Sequence, residues 1–313
     1  MGTLPTPPPG PRFAGPKDIG SHSYHFNPFE KNAIVYTCKA GHLDLTHIRW
    51  NADYVRYLIG MTRETLLNNE EGFAFNVTWE PSTHHISFDY PDNWKDLSQQ
   101  QRKTIADEIA FDAAPYIAFN ATIWHEIITW FGTRFALIEP EFNSAFSWED
   151  MFSNLVGVRL GLQAMRSEKD YDQAMTIAID EELEKLGVQS KKTAIHASSK
   201  MRGKWYKGVL HVDTKMRNFD IGLDDGQITP TLVPDIEPCP NPEPVSYPVP
   251  KLEKLPKHGF TMHHKIEPNI WEAGKIHDAL KKELGLTEDP EYIIPEEHYR
   301  AIIEFSREQA VEK

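Results

Sequence analysis

The centre of the predicted fold is the stretch YIAFNATIWHEIITWF, residues 116–131. Its residues would be apolar on nearly every face of a helix, which indicates a helix buried in the middle of the protein. Within it, His125 and Glu126 are adjacent titratable residues among Ile, Trp and Phe. Burying such groups unpaired costs several kcal/mol, so we expect polar partners or a metal ion beside them.

Helical periodicity extends this stretch to residues 98–135, with Ser98 as the predicted N-cap and a predicted break near Pro115. Residues 72–90 alternate between apolar and polar positions around a PSTH turn, which predicts a β-hairpin, and NAIVYTC at 32–38 predicts a short strand. Further helices are predicted after Gly41, from Ser147, and over 170–186, 270–284 and 295–310, and strands are predicted around an Asp225–Gly226 turn. The sequence predicts an α+β fold with a mainly helical core, small antiparallel β hairpins and proline-rich arms.

Proline density suggests the domain organisation. Six prolines fall within the first sixteen residues, so residues 1–20 are expected to form an extended tether. Residues 21–233 form the predicted core domain with its hairpins. Eight prolines mark residues 234–256 as a linker or wrapping arm, followed by a C-terminal helical segment at 257–313.

Composition argues against some partners. The formal net charge of −13 argues against a nucleic-acid partner and against general adhesion to an anionic membrane surface. No apolar run approaches the length of a transmembrane segment, and the opening residues lack the apolar core of a signal peptide. The residues alone leave open a cytosolic protein or an exported one. They also leave open whether Cys38 and Cys239 form a disulfide or stay as two free thiols.

The polar residues with chemical content lie in three segments, GHLDLTHIR at 41–49, WHEIITW at 124–130 and SWEDMFSN at 147–154. The His-Glu pair in the second segment partly resembles gluzincin-type zinc peptidases, in which two histidines four residues apart bind zinc and a later glutamate completes the site. Glu149 follows His125 at the matching interval. The second histidine is absent, because Thr129 stands in its place.

A second hypothesis needs no such motif. His47, or else His42, would join His125 and Glu149 as ligands of zinc or another divalent metal, with Glu126 as general base. Asp44 lies one turn before His47 and could orient it.

The alternative is a buried structural network without catalysis. Ser147 and Asp150 resemble a capping box, and Arg49 or Arg159 could pair with the buried glutamates.

Three segments together carry a resemblance: YTCKAGHLDLTHIR, IWHEIITWFG and FSWEDMFSNLVGVRLG. They resemble a bacterial family of unknown function with exported or lipoprotein-like members, over roughly residues 20–235. The resemblance implies an envelope location, either the periplasm or the outer membrane through a lipid anchor in the native precursor. It implies no activity.

Two functions follow as hypotheses: a metal-dependent hydrolase of an envelope or extracellular polymer, or a non-enzymatic envelope binding or structural module.

Overall fold

The computed structural model describes residues 12–311, except 26, 28–29, 79, 133, 136–138, 141–143, 208–213 and 241. Helices make up 48% of the described residues and the described sheets have only two or three antiparallel strands, which confirms the predicted α+β fold. In chain order the elements are β1 Ile34–Thr37, β2 Gly41–Asp44, α1 Leu45–Asn68, β3 Gly72–Phe75, β4 Thr83–Asp89, α2 Gln99–Trp130, β5 Arg134–Phe135, β6 Glu139–Pro140, α3 Asp150–Met165, α4 Tyr171–Lys185, α5 Lys191–Met201, β7 Gln227–Ile228, β8 Tyr247–Pro248, β9 Thr261–Glu267, α6 Ile270–Leu284 and α7 Pro295–Val311.

The chain forms two compact units, each made of two separate segments. Unit 1 consists of Met1–Arg56 and Asn143–Val249, and unit 2 consists of Tyr57–Phe142 and Pro250–Lys313. The domain boundaries that proline density suggested stay a prediction. Residues 1–11 of the expected tether lie outside the described residues, whereas Phe13 is buried and bridges Ile34 of β1.

In unit 1, α3 packs closely on the first turns of α1. A Cβ added to Gly157 would lie 2.3 Å from the Ile48 carbonyl oxygen, so only glycine permits this approach. Asn51 of α1 donates a hydrogen bond to Asn154 of α3 at 2.8 Å. Since residues four apart share a helix face, the residues one turn earlier, 47 and 150, are brought to the same interface.

The strand pair β1–β2 starts unit 1, and α1 follows it directly. Ile34 pairs with Asp44 and Thr37 with Gly41 in an antiparallel ladder. The helix predicted after Gly41 therefore begins only at Leu45, because residues 41–44 form β2 and pair with β1.

A disulfide links the end of β1 to the proline-rich segment of unit 1. Cys38 and Cys239 are bonded, with their Cα atoms 5.2 Å apart, which decides between the two alternatives left open by the sequence. Around Cys239 lies an aromatic and apolar cluster that includes Tyr36, Trp148 and Tyr206. The proline-rich segment is thus covalently attached to a packed core, and part of it, Tyr247–Pro248, forms the short strand β8.

Unit 2 contains the long buried helix α2. Ser98 caps it through a capping box with Gln101, as its sequence predicts. The expected break near Pro115 is wrong, because the helix continues through that residue to Trp130. The Tyr299 hydroxyl of α7 donates a hydrogen bond to the Asn120 backbone carbonyl at 2.7 Å, so α7 is attached to the middle of α2.

The three-stranded sheet of unit 2 has the order β3–β4–β9, with both pairs antiparallel. The β3–β4 pair confirms the predicted hairpin, and α6 and α7 confirm the predicted C-terminal helices. β9 was not predicted: residues 257–313 were expected to be helical. None of the described helices is both long and apolar enough to cross a membrane.

Candidate metal centre

His47 lies in the first turn of α1, where two backbone contacts fix the start of the helix. Asp44, the last residue of β2, accepts a hydrogen bond from the Thr46 backbone N–H at 2.7 Å and donates its own N–H to the Ser153 hydroxyl at 3.0 Å. Asp44 therefore caps α1 and links it to α3. The His47 side chain is 22% exposed, so one edge of its ring reaches solvent.

Asp150, the first residue of α3, uses its two carboxylate oxygens differently. Oδ2 accepts a hydrogen bond from the Ser147 backbone N–H at 2.8 Å, so half of the capping arrangement predicted for Ser147 and Asp150 is present. Oδ1 lies 3.2 Å from His47 Nδ1. The helix cap therefore orients one oxygen of Asp150 toward the histidine.

Glu126 is 2% exposed within α2. His47, Glu126 and Asp150 each offer one ligand atom, and these atoms all lie within 4.8 Å of one another. Among the described residues this is the one group of three or more His, Cys, Asp or Glu side chains that could hold a metal ion. Nothing in its geometry identifies zinc.

The predicted ligands His125 and Glu149 lie outside this group. His125 Nδ1 is 2.7 Å from Glu80 Oε1, within unit 2. Glu149 is buried directly before α3, where its carbonyl accepts a hydrogen bond from the Ser153 hydroxyl at 2.7 Å. The ligand set His47, His125 and Glu149, with Glu126 as general base, stays a prediction.

The other residues singled out in the sequence have structural contacts. His42 accepts a hydrogen bond from Trp148 Nε1 at 3.4 Å inside the aromatic cluster of unit 1, so of the two candidates His42 and His47 only the second belongs to the group of three. Arg49 lies 3.2 Å from Glu30, and Arg159 stacks on the Tyr247 ring at 4.1 Å.

The chemistry of the group favours a cation. Two carboxylates and one imidazole supply oxygen and nitrogen donors of the kinds that bind first-row divalent metals. Two carboxylates held this close repel each other when both are ionised, and a divalent cation between them offsets that repulsion. The sequence did not reveal Asp150 as a candidate ligand, because its spacing from Ser147 is explained by helix capping alone.

The family comparison covers the residues of this centre. The model of a family described as "Protein of unknown function (DUF4056)" matches residues 19–232. The chain belongs to this family. No curated protein and no solved structure matches the chain. The DUF4056 region contains all three residues of the group as well as Cys38, whereas Cys239 lies beyond its end. The predicted family of unknown function is confirmed, while bacterial origin, export and the likeness to zinc peptidases stay predictions.

Proposed function

We propose that this protein is a metal-dependent hydrolase of an envelope or extracellular polymer, with zinc or another divalent cation bound by His47, Glu126 and Asp150. The observation that carries the proposal is the convergence of one imidazole and two carboxylates from three separate segments. Three protein ligands are typical of catalytic metal sites, which keep a coordination position for water or substrate.

A bound divalent cation supplies Lewis-acid chemistry, since it polarises a carbonyl or phosphoryl oxygen and makes water more acidic. The residues of the chain do the rest. The Ser147 N–H holds Asp150 in place through Oδ2, which leaves Oδ1 for the cation. His47 is part-exposed, so substrate can approach from its open edge.

Glu126 is a metal ligand under this proposal, whereas the sequence pattern suggested the role of general base. Glu126→Gln separates them, because an amide binds metal weakly and cannot take up a proton. If Glu126 is a ligand, metal affinity falls; if it is the base, metal stays bound and only turnover is lost.

Metal binding itself is tested with a matched pair of variants. Asp150 and Asp170 both use a carboxylate to accept a backbone N–H at the start of a helix, Asp150 at α3 and Asp170 at α4. We expect titration calorimetry with Zn²⁺ and Mn²⁺ to show one site in the wild type and in Asp170→Asn. Asp150→Asn should lose at least tenfold in affinity. Equal affinity in all three proteins would contradict the proposed centre.

Hydrolysis requires a second measurement. A panel of chromogenic esters, peptides and polysaccharide fragments is assayed with metal-loaded protein, with chelated protein, and after metal is restored. Activity that follows the metal supports the hydrolase. A protein that binds metal tightly but hydrolyses none of the panel, while Glu126→Gln leaves every property unchanged, would instead be a metal-stabilised binding module.

We further propose that the protein works outside the cytoplasm, in the periplasm or attached to the outer membrane by a lipid anchor. The Cys38–Cys239 disulfide supports this location, because disulfides persist in oxidising compartments and are rare in the cytosol. Thiol labelling of protein taken directly from its native cells tests the idea. Two blocked cysteines are expected, whereas two free thiols would argue for a cytosolic protein.

A further inference from the structure

Two histidines of unit 2 face each other inside the sheet. In the β4–β9 ladder, His84 pairs with Ile266 and Ile86 pairs with His264, so the two rings are diagonal neighbours on the buried face. His84 Nδ1 lies 3.0 Å from His264 Nε2. The residues are 0% and 2% exposed, respectively, so water does not reach either ring.

Counting protons excludes a pair in which both rings are charged. Two uncharged imidazoles carry two N–H groups and two lone-pair nitrogens, and one N–H···N bond uses one of each. The outer nitrogens, His84 Nε2 and His264 Nδ1, have no hydrogen-bond partner within the described part of the chain. If both rings were charged, two N–H groups would point at each other across 3.0 Å.

The surroundings offer nothing that would stabilise a positive charge. The Phe75 ring stacks on His84 with centroids 4.8 Å apart. Burial, then the neighbouring His264 and His85, lower the pKa of His84 well below its ordinary value. Burial alone lowers the pKa of His264 to about 3. No carboxylate within the described residues contributes to either shift.

We propose that the His84–His264 pair is an acid-sensitive clasp, which holds β9 on β4 while both rings are neutral and releases β9 when protons are taken up. A ring that is freed from the sheet binds a proton with an ordinary pKa near 6.5. As the pH falls below that value, the opened form gains about tenfold in population per pH unit for each ring it exposes. The clasp is therefore fully closed above pH 6.5 and weakens progressively below it.

The outer face of the same ladder contains groups with the opposite tendency. His85 lies 3.1 Å from Glu267, and His263 lies 2.8 Å from Asp89, with Lys265 opposite His85. Protonation of either exposed histidine would strengthen its pair. Glu267 and Asp89 are 60% and 70% exposed, however, and solvent-exposed pairs contribute little to stability. The buried pair therefore sets the direction of the response.

Opening would stay local, because both sides of β9 are attached independently of the clasp. Upstream, the Asp112 carboxylate accepts the backbone N–H groups of Glu253, Lys254 and Leu255. At its end, Ile266 exchanges two backbone hydrogen bonds with Ile293, both at 2.8 Å. β9 is also an edge strand, paired with β4 on one side of the sheet.

Amide hydrogen exchange of the full-length protein tests the clasp, with rates corrected for the intrinsic effect of pH. Between pH 6.5 and pH 5.0, the opening constant of residues 83–89 and 261–267 should rise about 16-fold if one ring is exposed, and more if both are. His84→Leu/His264→Leu should abolish the rise. His85→Gln/His263→Gln, on the outer face, should retain it. A wild type with unchanged protection, or a double-leucine variant with the same rise, would overturn the proposal.

Nuclear magnetic resonance of the histidine rings keeps the test decisive if the double-leucine variant fails to fold. In the wild type, both rings should stay neutral in the folded protein down to pH 5. A folded-state titration of either ring near pH 6.5 would likewise overturn the clasp.

Discussion

Unit 1 and unit 2 each bury histidine, and they shift its pKa in opposite directions. In unit 1, His22 lies between two carboxylates, with Nδ1 2.9 Å from Glu30 and Nε2 3.1 Å from Asp53. Burial lowers the pKa of His22, but the hydrogen bonds to Asp53 and Glu30 outweigh it and raise that pKa. In unit 2, no carboxylate of the described residues contributes at the His84–His264 pair, and its pKa values fall. Since both sites are buried, the carboxylate partners decide the direction in which the pKa shifts.

The two units also differ in the interactions that stabilise each of them internally. Unit 1 contains both cysteines of the chain and their disulfide, and its His22 network also includes Arg49 and the Tyr171 hydroxyl. Unit 2 contains no cysteine. Unit 1 should therefore depend strongly on a few polar and covalent links, whereas unit 2 depends on helix and sheet packing.

The largest expected effect comes from the disulfide. Its residues are separated by 201 positions, and closing so long a loop lowers the entropy of the unfolded chain. Cys38→Ser/Cys239→Ser should lower the free energy of unfolding by about 5 kcal/mol. Urea unfolding followed by tryptophan fluorescence measures this. A loss below about 1 kcal/mol would show that the link does not hold unit 1 together.

Next in size is the His22 network. His22→Ala leaves Glu30 and Asp53 buried without their shared partner and should cost about 3–5 kcal/mol in the same urea measurement. The exposed neighbour His25 is the control, since His25→Ala should change stability by less than about 0.5 kcal/mol. Equal effects in the two variants would show that the network contributes no more than a surface residue.

A change in the packing of α3 against α1 should have a smaller effect on stability, and the chain offers a matched control. Gly157→Ala places a methyl group 2.3 Å from the Ile48 carbonyl and should cost about 1–3 kcal/mol. A Cβ at Gly60 of α1 meets nothing within 4 Å, so Gly60→Ala should stabilise the protein by about 0.5–1 kcal/mol. Thermal unfolding of the two variants should shift in opposite directions, and a shift of the same sign would refute the close crossing of α1 and α3.

The smallest expected effect is the pH response of the two histidine sites. Each site should respond in a different pH range. The raised pKa of His22 stabilises unit 1 fully below pH 6.5, and this contribution disappears as the pH rises through the folded-state pKa. From pH 6 to pH 9, exchange of amides in residues 19–25 should therefore accelerate after correction, by at most tenfold per pH unit. The β4–β9 amides should not respond over this range. A common response would mean that the two sites do not differ.

Much of the fold could be predicted because its periodicity is local. The capped helix α2, the β3–β4 hairpin and the C-terminal helices all follow from patterns within single segments. Pro115 did not break α2 because it is buried among buried residues on both sides, and their packing offsets the missing backbone hydrogen bond.

Other features depend on contacts that no single segment shows. β9 alternates strictly between buried and exposed positions, but the histidine at buried position 264 conceals the alternation in the sequence. Asp150 was recognised as a capping residue. Its second oxygen lies close to His47 because α1 and α3 cross, and this crossing brings together residues about 100 positions apart in the sequence.

Anomalous diffraction from crystals grown with Mn²⁺ or Zn²⁺ tests the proposed metal centre. We expect one strong peak within bonding distance, roughly 2.0–2.2 Å, of ligand atoms from His47, Glu126 and Asp150. Crystals of Asp150→Asn should lose the peak. Absence of a peak in the wild type, or a peak bound by His125 and Glu149 instead, would contradict it.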